Sequence, residues 1–214
     1  MTGERRIHLP NVVESVNHTF ACRSRDGAVD LAPLSDLSTP RDVDSQLTTE
    51  RFFVTFSAVV SNFNGVDFIR YNEVIVKIPV VVRGQPFVFP VRTYVDNELS
   101  LVRGHELGFN KYMAPVDVVE DGLVSFDGPG LQLRTEIDDD VTLDEEESYA
   151  AVGAAFVLGD GGRPVTLVTS DVTQLHASAW LRAAGGGTIG GHRFDVDGAR
   201  TTEDRFTLHR VAAI

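Results

Sequence analysis

The sequence predicts a mainly β protein, built as an antiparallel, closed or cone-shaped barrel with few short helices. Two observations favour this class. From position 51 onward the chain is rich in Val, Phe, Ile, Thr and Tyr, which are enriched in strands, and Gly and Pro separate many of the runs. The length of 214 residues, 43% of them hydrophobic, suits one domain over residues 1–214. A closed sheet of this size commonly surrounds a pocket.

The elements follow from these runs in chain order. Positions 1–50 have no sustained period and predict one strand near Thr19–Arg23, followed by a short helix or loop. The β-rich stretches after that are 51–60, 66–82, 86–95 and 99–102, with a turn at 83–86. Two further hairpins are predicted, one turning at Asp-Gly-Pro-Gly (127–130) and one at Gly-Asp-Gly-Gly-Arg (159–163).

One helix is expected, over residues 172–184. Leu175, Ala179 and Arg182 recur there at helical spacing. The glycines that follow, at positions 185, 187 and 190, formally fit G-x-G-x-x-G. They lack the strand-turn-helix context of a dinucleotide site, so a flexible connection is expected.

Charge and composition exclude several classes of function. Nineteen basic residues against 31 acidic residues leave a net charge of -12, which disfavours nucleic-acid binding. No apolar run approaches the roughly 18 residues that span a bilayer, and the N-terminus shows no apolar signal core. The single cysteine, Cys22, leaves no disulfide framework. We therefore expect a cytoplasmic protein without membrane or nucleic-acid partners.

Metal and cofactor sites are not predicted. The six histidines show no paired spacing such as H-x-x-x-H. Eight acidic residues lie within positions 136–147, but they lack the ligand spacing and turn glycine of an EF-hand. A solvated loop is expected there.

The residues that indicate chemistry lie between positions 71 and 116. Only two of the basic residues are lysines, Lys77 and Lys111, and Lys111 lies in the segment YVDNELSLVRGHELGFNKYMAPV. This segment resembles acetoacetate decarboxylases and their superfamily, in which a run like Y-x-D-N-E is followed by G-R-E and by a lysine-bearing segment. The earlier run Tyr71-Asn72-Glu73 resembles the family's Tyr-x-Glu strand. A softer match covers positions 170–173, with His176 and Trp180 beyond it.

The resemblance implies the following roles. Lys111 forms a Schiff base with a small keto acid, and Glu73 and Glu106 move protons. No cofactor is needed, and family members commonly form homo-oligomers. The residues expected to contact substrate are Tyr71, Phe109, Tyr112, Met113 and His105.

The chemistry explains why a lysine is needed. An amine that condenses with a ketone forms an iminium, which accepts electrons when the adjacent carbon–carbon bond breaks. The attacking amine must be neutral, whereas the pKa of an ordinary lysine is near 10.4. With Tyr112 in place of the family's second lysine, burial is expected to do most of the work of lowering that pKa.

Departures from the family pattern leave alternatives open. His105 replaces the arginine of G-R-E, Asn110 replaces a proline, and the family's N-terminal arginine has only Arg23 and Arg25 nearby, out of register. The same lysine can serve an aldolase-dehydratase or a cyclase, and a non-catalytic ligand-binding barrel is the third possibility. Without the resemblance, Glu73 and Lys77 would be surface charges of a strand, and Glu106 a structural hydrogen-bond acceptor.

Overall fold

A computed structural model describes residues 10–35, 39–63, 67–116, 123–143 and 155–214, without the side chains at positions 63, 67 and 139. Strands dominate these residues, as predicted. The helical elements are a 3-10 turn at Ala32–Leu34, α1 (Arg41–Asp44) and α2 (Glu98–Leu107). The strands are β1 (Asn11–Ser24), β2 (Val29–Asp30), β3 (Thr48–Thr49), β4 (Arg51–Phe63), β5 (Asp67–Val82), β6 (Gln85–Val95), β7 (Lys111–Met113), β8 (Leu123–Gly128), β9 (Leu131–Leu143), β10 (Val157–Asp160), β11 (Arg163–Ala177), β12 (Trp180–Ile189) and β13 (His192–Ala213).

One large sheet runs in the order β7-β6-β5-β4-β1-β13-β12-β9-β8, and β10 and β11 join it through β13. The pairs along this path are antiparallel except β6–β7, which is parallel. Pairing among the described strands does not join β7 to β8, so the closed or cone-shaped barrel stays a prediction. No described helix is long and apolar enough to cross a membrane.

The two faces of β5 separate core from site. Val74, Val76, Ile78 and their alternate neighbours belong to the main hydrophobic cluster, together with Phe56, Tyr94 and Phe126 from other strands. Because side chains alternate along a strand, Tyr71, Glu73, Ile75 and Lys77 point to the opposite face. That second face carries the candidate site. Both predicted hairpin turns are confirmed, between β8 and β9 and between β10 and β11.

Two predictions of secondary structure were wrong. Residues 172–184, expected as a helix, belong mainly to β11 and β12, because β11 pairs with β13 and β12 pairs with both β13 and β9. The only helix longer than one turn among the described residues is α2, in the region where 99–102 was expected as a strand. The Asn97 carboxamide accepts hydrogen bonds from the backbone N–H groups of Leu99 and Ser100, and Gly108 ends the helix with a φ of 94°. These capping signals outweigh the β-rich composition.

Two loop predictions also need correction. The expected flexible connection at 185–190 lies mostly within β12, where a Cβ at Gly187 would lie 1.8 Å from the Gln132 carbonyl oxygen. Glycine there permits close approach of neighbouring strands. In the acidic segment, residues 136–143 belong to β9 rather than to a loop, and 144–147 lie outside the described residues.

Candidate active site

Lys111 is a buried amine with two polar partners. It begins β7, and only 8% of its surface is exposed. Its Nζ donates hydrogen bonds to Glu73 Oε2 at 2.8 Å and to Ser100 Oγ at 3.0 Å. The Glu73 side chain is 12% exposed, so this is an ion pair largely withdrawn from water. Such pairs persist only where further hydrogen bonds satisfy the charged groups.

Three neighbouring strands and one helix assemble this arrangement. Lys111 on β7 lies beside Thr93 on β6, and Thr93 lies opposite Ile75 on β5. Glu73 is two residues before Ile75, on the same face of the strand. Helix α2 directs Ser100 toward this face, with Arg103, Gly104 and Leu107 as its other buried residues.

Gly104 makes room for the lysine side chain. A Cβ built at this position would lie 2.2 Å from Lys111 Cδ and 2.4 Å from Lys111 Cε. The stem of the lysine therefore lies directly against the helix backbone. Any larger residue at position 104 would displace the lysine or the helix.

Aromatic rings line the amine on two sides. The Lys111 Nζ lies 5.4 Å from the centre of the Tyr71 ring and 5.7 Å from the centre of the Phe109 ring. Burial raises the pKa of the Tyr71 hydroxyl, and the Glu73 charge adds to this; a hydrogen bond with Ser100 and the nearby Arg103 act in the opposite direction. Tyr71 is therefore a neutral hydroxyl at physiological pH. Phe109 packs into a second apolar cluster with Leu107 and Leu158.

The structure does not bring Glu106 or His105 to the amine. Both are exposed on α2, whereas the buried residues of that helix include Ser100, Arg103 and Gly104. The helical period is the physical reason, because Ser100, Gly104 and Leu107 recur at intervals of three to four residues on the buried face, and His105 and Glu106 lie between the last two of these positions on the exposed side. That Glu106 handles protons and that His105 contacts substrate stay predictions.

Tyr112 and Met113, whose substrate contacts stay predictions, also lie away from the buried amine. Tyr112 follows Lys111 on β7 and therefore points to the core face, where the Arg92 guanidinium lies 4.2 Å from the centre of its ring. The Tyr112 hydroxyl accepts a hydrogen bond from Arg92 Nη2 at 3.3 Å. Met113 points to the same side as Lys111 but is 46% exposed. Neither side chain belongs to the buried surroundings of the amine.

Sequence reasoning missed Ser100 and Arg103. The signal that points to them is Asn97, a favourable N-cap, followed by buried positions three and six residues later. Arg103 is buried on the same helix face, and this burial lowers the pKa of its guanidinium to about 10 against the opposing effects of Tyr71 and Glu106. It adds a positive charge close to Tyr71.

Lys77 was interpreted as an ordinary strand charge, but it is buried. Only 6% of its surface is exposed, and it points to the same face as Glu73. Burial lowers the pKa of Lys77 to about 8, while the charges of Asp204 and Glu73 oppose the shift. The two lysines of the chain therefore both lie buried on one face of the sheet.

The two N-terminal arginines lie elsewhere. Arg23 pairs with Asp197 at 3.0 Å, and Arg25 donates a hydrogen bond from Nε to Asp195 at 2.8 Å. Both arginines are about half exposed. They fill the role of surface ion pairs rather than that of a substrate-binding arginine.

Other features of the described residues do not define a better site. No group of three or more His, Cys, Asp or Glu side chains able to hold a metal lies within the described ranges. A surface cavity of about 470 Å³ between β8, β9 and β12 contains neither lysine, and its described lining has no amine, thiol or imidazole. The buried amine with its paired carboxylate therefore defines the candidate site.

Comparison with known proteins agrees with the sequence resemblance. The family model described as acetoacetate decarboxylase matches residues 47–142, which include Glu73 and Lys111. A search of curated proteins found no match.

Among solved structures, MppR, an enduracididine biosynthesis enzyme complexed with pyruvate, superposes with a TM-score of 0.65 at 15% identity, covering 99% of this chain and 93% of that one. Acetoacetate decarboxylase from Legionella pneumophila gives 0.64 at 14% identity, covering 100% and 92%. An acetoacetate decarboxylase-like enzyme from Sphingomonas wittichii gives 0.55 at 15% identity, covering 96% and 92%.

These comparisons define the class of protein. The fold is that of acetoacetate decarboxylase-like enzymes, and its neighbours include both a decarboxylase and MppR. The resemblance of the chain to the acetoacetate decarboxylase superfamily is thereby confirmed.

Proposed function

We propose that the protein is a lysine-dependent lyase that decarboxylates a small keto acid through a Schiff base on Lys111. The observation that carries this proposal is the buried Lys111 amine hydrogen-bonded to Glu73 at 2.8 Å. A nucleophile next to a base that can take its proton is the arrangement that amine catalysis requires. No cofactor is needed, because the iminium itself accepts the electrons.

The proposed reaction balances without any further reactant. The neutral Lys111 amine adds to the ketone, and loss of water gives the iminium. In a β-keto acid the carboxylate is attached to the carbon next to the iminium carbon. The bond to this carboxylate then breaks, carbon dioxide leaves, and the electron pair of that bond moves toward the iminium nitrogen to form an enamine. The enamine carbon takes a proton, and water releases the ketone and regenerates the amine. Acetoacetate decarboxylase is described as using a lysine activated in this general way.

Glu73 is proposed to move the protons. Its carboxylate lies at hydrogen-bond distance from Nζ, so it can accept the proton that the amine must lose. The same carboxyl group is then placed to return a proton to the enamine. Ser100 holds the amine in position through the 3.0 Å hydrogen bond, and Tyr71 and Phe109 supply the surrounding rings.

An aldol-type reaction on the same lysine is the second candidate. MppR, whose fold resembles this one, is recorded in complex with the condensation product of pyruvate and imidazole 4-carboxaldehyde. The enamine that follows carbon–carbon cleavage is also the nucleophile of an aldol addition, so both reactions need the same buried amine. A non-catalytic ligand-binding protein is the third possibility.

Borohydride trapping tests the proposal. The protein is incubated with pyruvate or acetoacetate, reduced with borohydride and mapped by mass spectrometry. Because Lys77 and Lys111 are its only lysines, the modified side chain is assigned without ambiguity. We expect a reduced adduct on Lys111 that is absent in Lys111→Arg. Ligand binding without an adduct would favour the non-catalytic alternative.

Carbon dioxide release separates the two enzymatic candidates. We expect release from acetoacetate, which is a β-keto acid, and a loss of at least a hundredfold in Glu73→Gln. An adduct with no carbon dioxide release would favour aldol chemistry, which is then tested by adding an aldehyde. A single domain over residues 1–214, assembly into a homo-oligomer and a cytoplasmic location remain predictions.

A further inference from the structure

Lys77 is a buried amine without a close partner among the described residues. No described carboxylate lies within 4.0 Å of it, and it makes no hydrogen bond to the described part of the chain. The carboxylates that act on it over a longer range are engaged elsewhere. Glu73 accepts from Lys111, and Asp204 accepts from Asn17 and Thr202. Buried charges in proteins are normally paired, so this amine is suited to an external anion.

Thr93 supplies a second unused donor close by. Its side chain is fully buried, and its hydroxyl oxygen has no hydrogen-bond partner among the described residues. Such a group costs free energy unless a ligand or water satisfies it. The Thr93 hydroxyl thus carries unmet hydrogen-bonding capacity on the same face of the sheet as the Lys77 amine, which has no described carboxylate within 4.0 Å.

The strand register brings these two groups next to Lys111. Lys111, Thr93 and Ile75 are neighbours across β7, β6 and β5. Lys77 lies two residues beyond Ile75 on β5, after a register shift between Val76 and Lys77 that pairs it with Pro90. Adjacent strands lie about 4.8 Å apart, and diagonal side chains about 7–8 Å apart. A small molecule whose carbonyl carbon is bonded to Lys111 therefore lies within reach of both Thr93 and Lys77.

We propose that Lys77 and Thr93 form a carboxylate-binding subsite that holds the acid group of the substrate while its carbonyl condenses with Lys111. The inference rests on the proposed function for its substrate, a keto acid whose carboxylate and carbonyl are separated by no more than a few bonds. The Lys77 ammonium group can only donate and the Thr93 hydroxyl can also donate, which suits a carboxylate, whereas the ammonium charge repels a cation. The pKa of about 8 for Lys77 leaves most of this amine positively charged at neutral pH.

Binding of an unreactive acid tests the subsite without any Schiff-base step. Propionate and propionamide have the same shape but differ in charge, and their dissociation constants are measured by calorimetry or ligand-observed NMR at pH 7. We expect the protein to prefer propionate at least tenfold, and we expect both Lys77→Met and Thr93→Val to reduce that preference. Thr93→Ser restores the hydroxyl and should recover most of it.

Arg70→Met is the matched control, because it removes an exposed positive charge from the same strand. Unchanged propionate preference in both Lys77→Met and Thr93→Val overturns the subsite, as does a loss of equal size in Arg70→Met. Wild-type protein that shows no preference for propionate also overturns it. The test uses both Lys77→Met and Thr93→Val so that a folding defect in one of them does not decide the result. Thermal unfolding of each variant checks that it is folded.

Different experimental outcomes would contradict the subsite and the proposed function. The ratio of pyruvate trapping to trapping of acetone, a neutral ketone, on Lys111 should fall at least tenfold in Lys77→Met and stay the same in Arg70→Met. Equal effects on both ketones overturn the subsite and leave the Schiff base intact. Lys77-dependent propionate binding without any Lys111 adduct supports the subsite and overturns the lyase.

Discussion

Lys77 and Lys111 differ in their partners although both are buried on the same sheet face. Lys111 is paired with Glu73 and held by Ser100, whereas the attraction of carboxylates reaches Lys77 only over a longer range. At the scale of the residue, burial of an unpaired ammonium group lowers the free energy of unfolding. Binding of a substrate carboxylate by the proposed subsite would offset this cost.

The pH dependence of stability follows from the pKa of Lys77. That pKa is about 8 in the folded protein and near 10.4 in an unfolded chain, so between these values the unfolded state binds more protons and stability rises with pH. We expect Lys77→Met to be more stable than wild type by on the order of 3 kcal/mol below pH 8, with the difference shrinking toward pH 10.4. Urea unfolding across this range checks it. A difference that does not change with pH would contradict a partnerless buried amine.

Gly104 tests how closely the lysine packs on α2. In Gly104→Ala the added methyl group overlaps Lys111 Cδ and Cε, which are atoms of a flexible side chain. Alanine favours a helix by about 1 kcal/mol over glycine, which offsets part of the cost of displacing the lysine, so the protein should keep a cooperative thermal transition. We expect borohydride trapping on Lys111 to fall at least tenfold nevertheless. Leu99→Ala, on the exposed face of the same helix, is the control, and equal trapping in both variants would refute the contact.

Helix α2 completes the candidate site, whose other residues lie on strands β5, β6 and β7. It carries Ser100, Arg103 and Gly104 on one buried face, and Asn97 determines where that face begins. A shift of one residue in the helix start would rotate Ser100 by about 100° and remove it from Lys111. Position and function of the helix are therefore linked through its N-cap.

Replacing Asn97 tests this link. Asn97→Ala removes the acceptor of the Leu99 and Ser100 backbone N–H groups and should lower the free energy of unfolding by about 1 kcal/mol. Adduct formation on Lys111 should fall with it, because Ser100 loses its fixed position. Asn97→Asp retains a capping oxygen and should keep most of both properties. Equal losses in the two variants would show that capping is not what Asn97 contributes.

At the scale of the whole molecule, β13 joins the two ends of the chain. It pairs with β1 along one side and with β12 and then β11 along the other. Asp204, which acts on Lys77, also lies on this strand. The described sheet and the surroundings of the second lysine thus depend on the last strand of the described chain.

Truncation tests this dependence. Removing residues 200–214 deletes the pairing of β1 with the second half of β13, all described pairing of β11 with β13, and Leu208 of the second apolar cluster. We expect loss of a cooperative thermal transition, because two strands lose their neighbour at once. Removing only residues 213 and 214 deletes one paired position and should preserve the transition. A cooperative transition in the longer truncation would contradict a central role for β13.

Local sequence patterns predicted much of the secondary structure of this protein, and particular residues show where these patterns were misleading. Alternation and turn residues predicted the β class and the two hairpins, because these signals act within a few positions. The helix was misplaced because Leu175, Ala179 and Arg182 have helical spacing, yet pairing with β13 and β9 makes their segment strand. Periodicity alone cannot weigh such distant partners.

The sequence by itself determined the resemblance to the acetoacetate decarboxylase superfamily, the strand-rich class and the identity of Lys111 and Glu73 as residues to examine. Only the tertiary structure decided which side chains share a face: it joined Ser100 to Lys111, turned Tyr112 toward the core, left Glu106 exposed and buried Lys77. The physical reason is that burial and hydrogen bonding depend on elements far apart in the chain, whereas motifs record only neighbours along it.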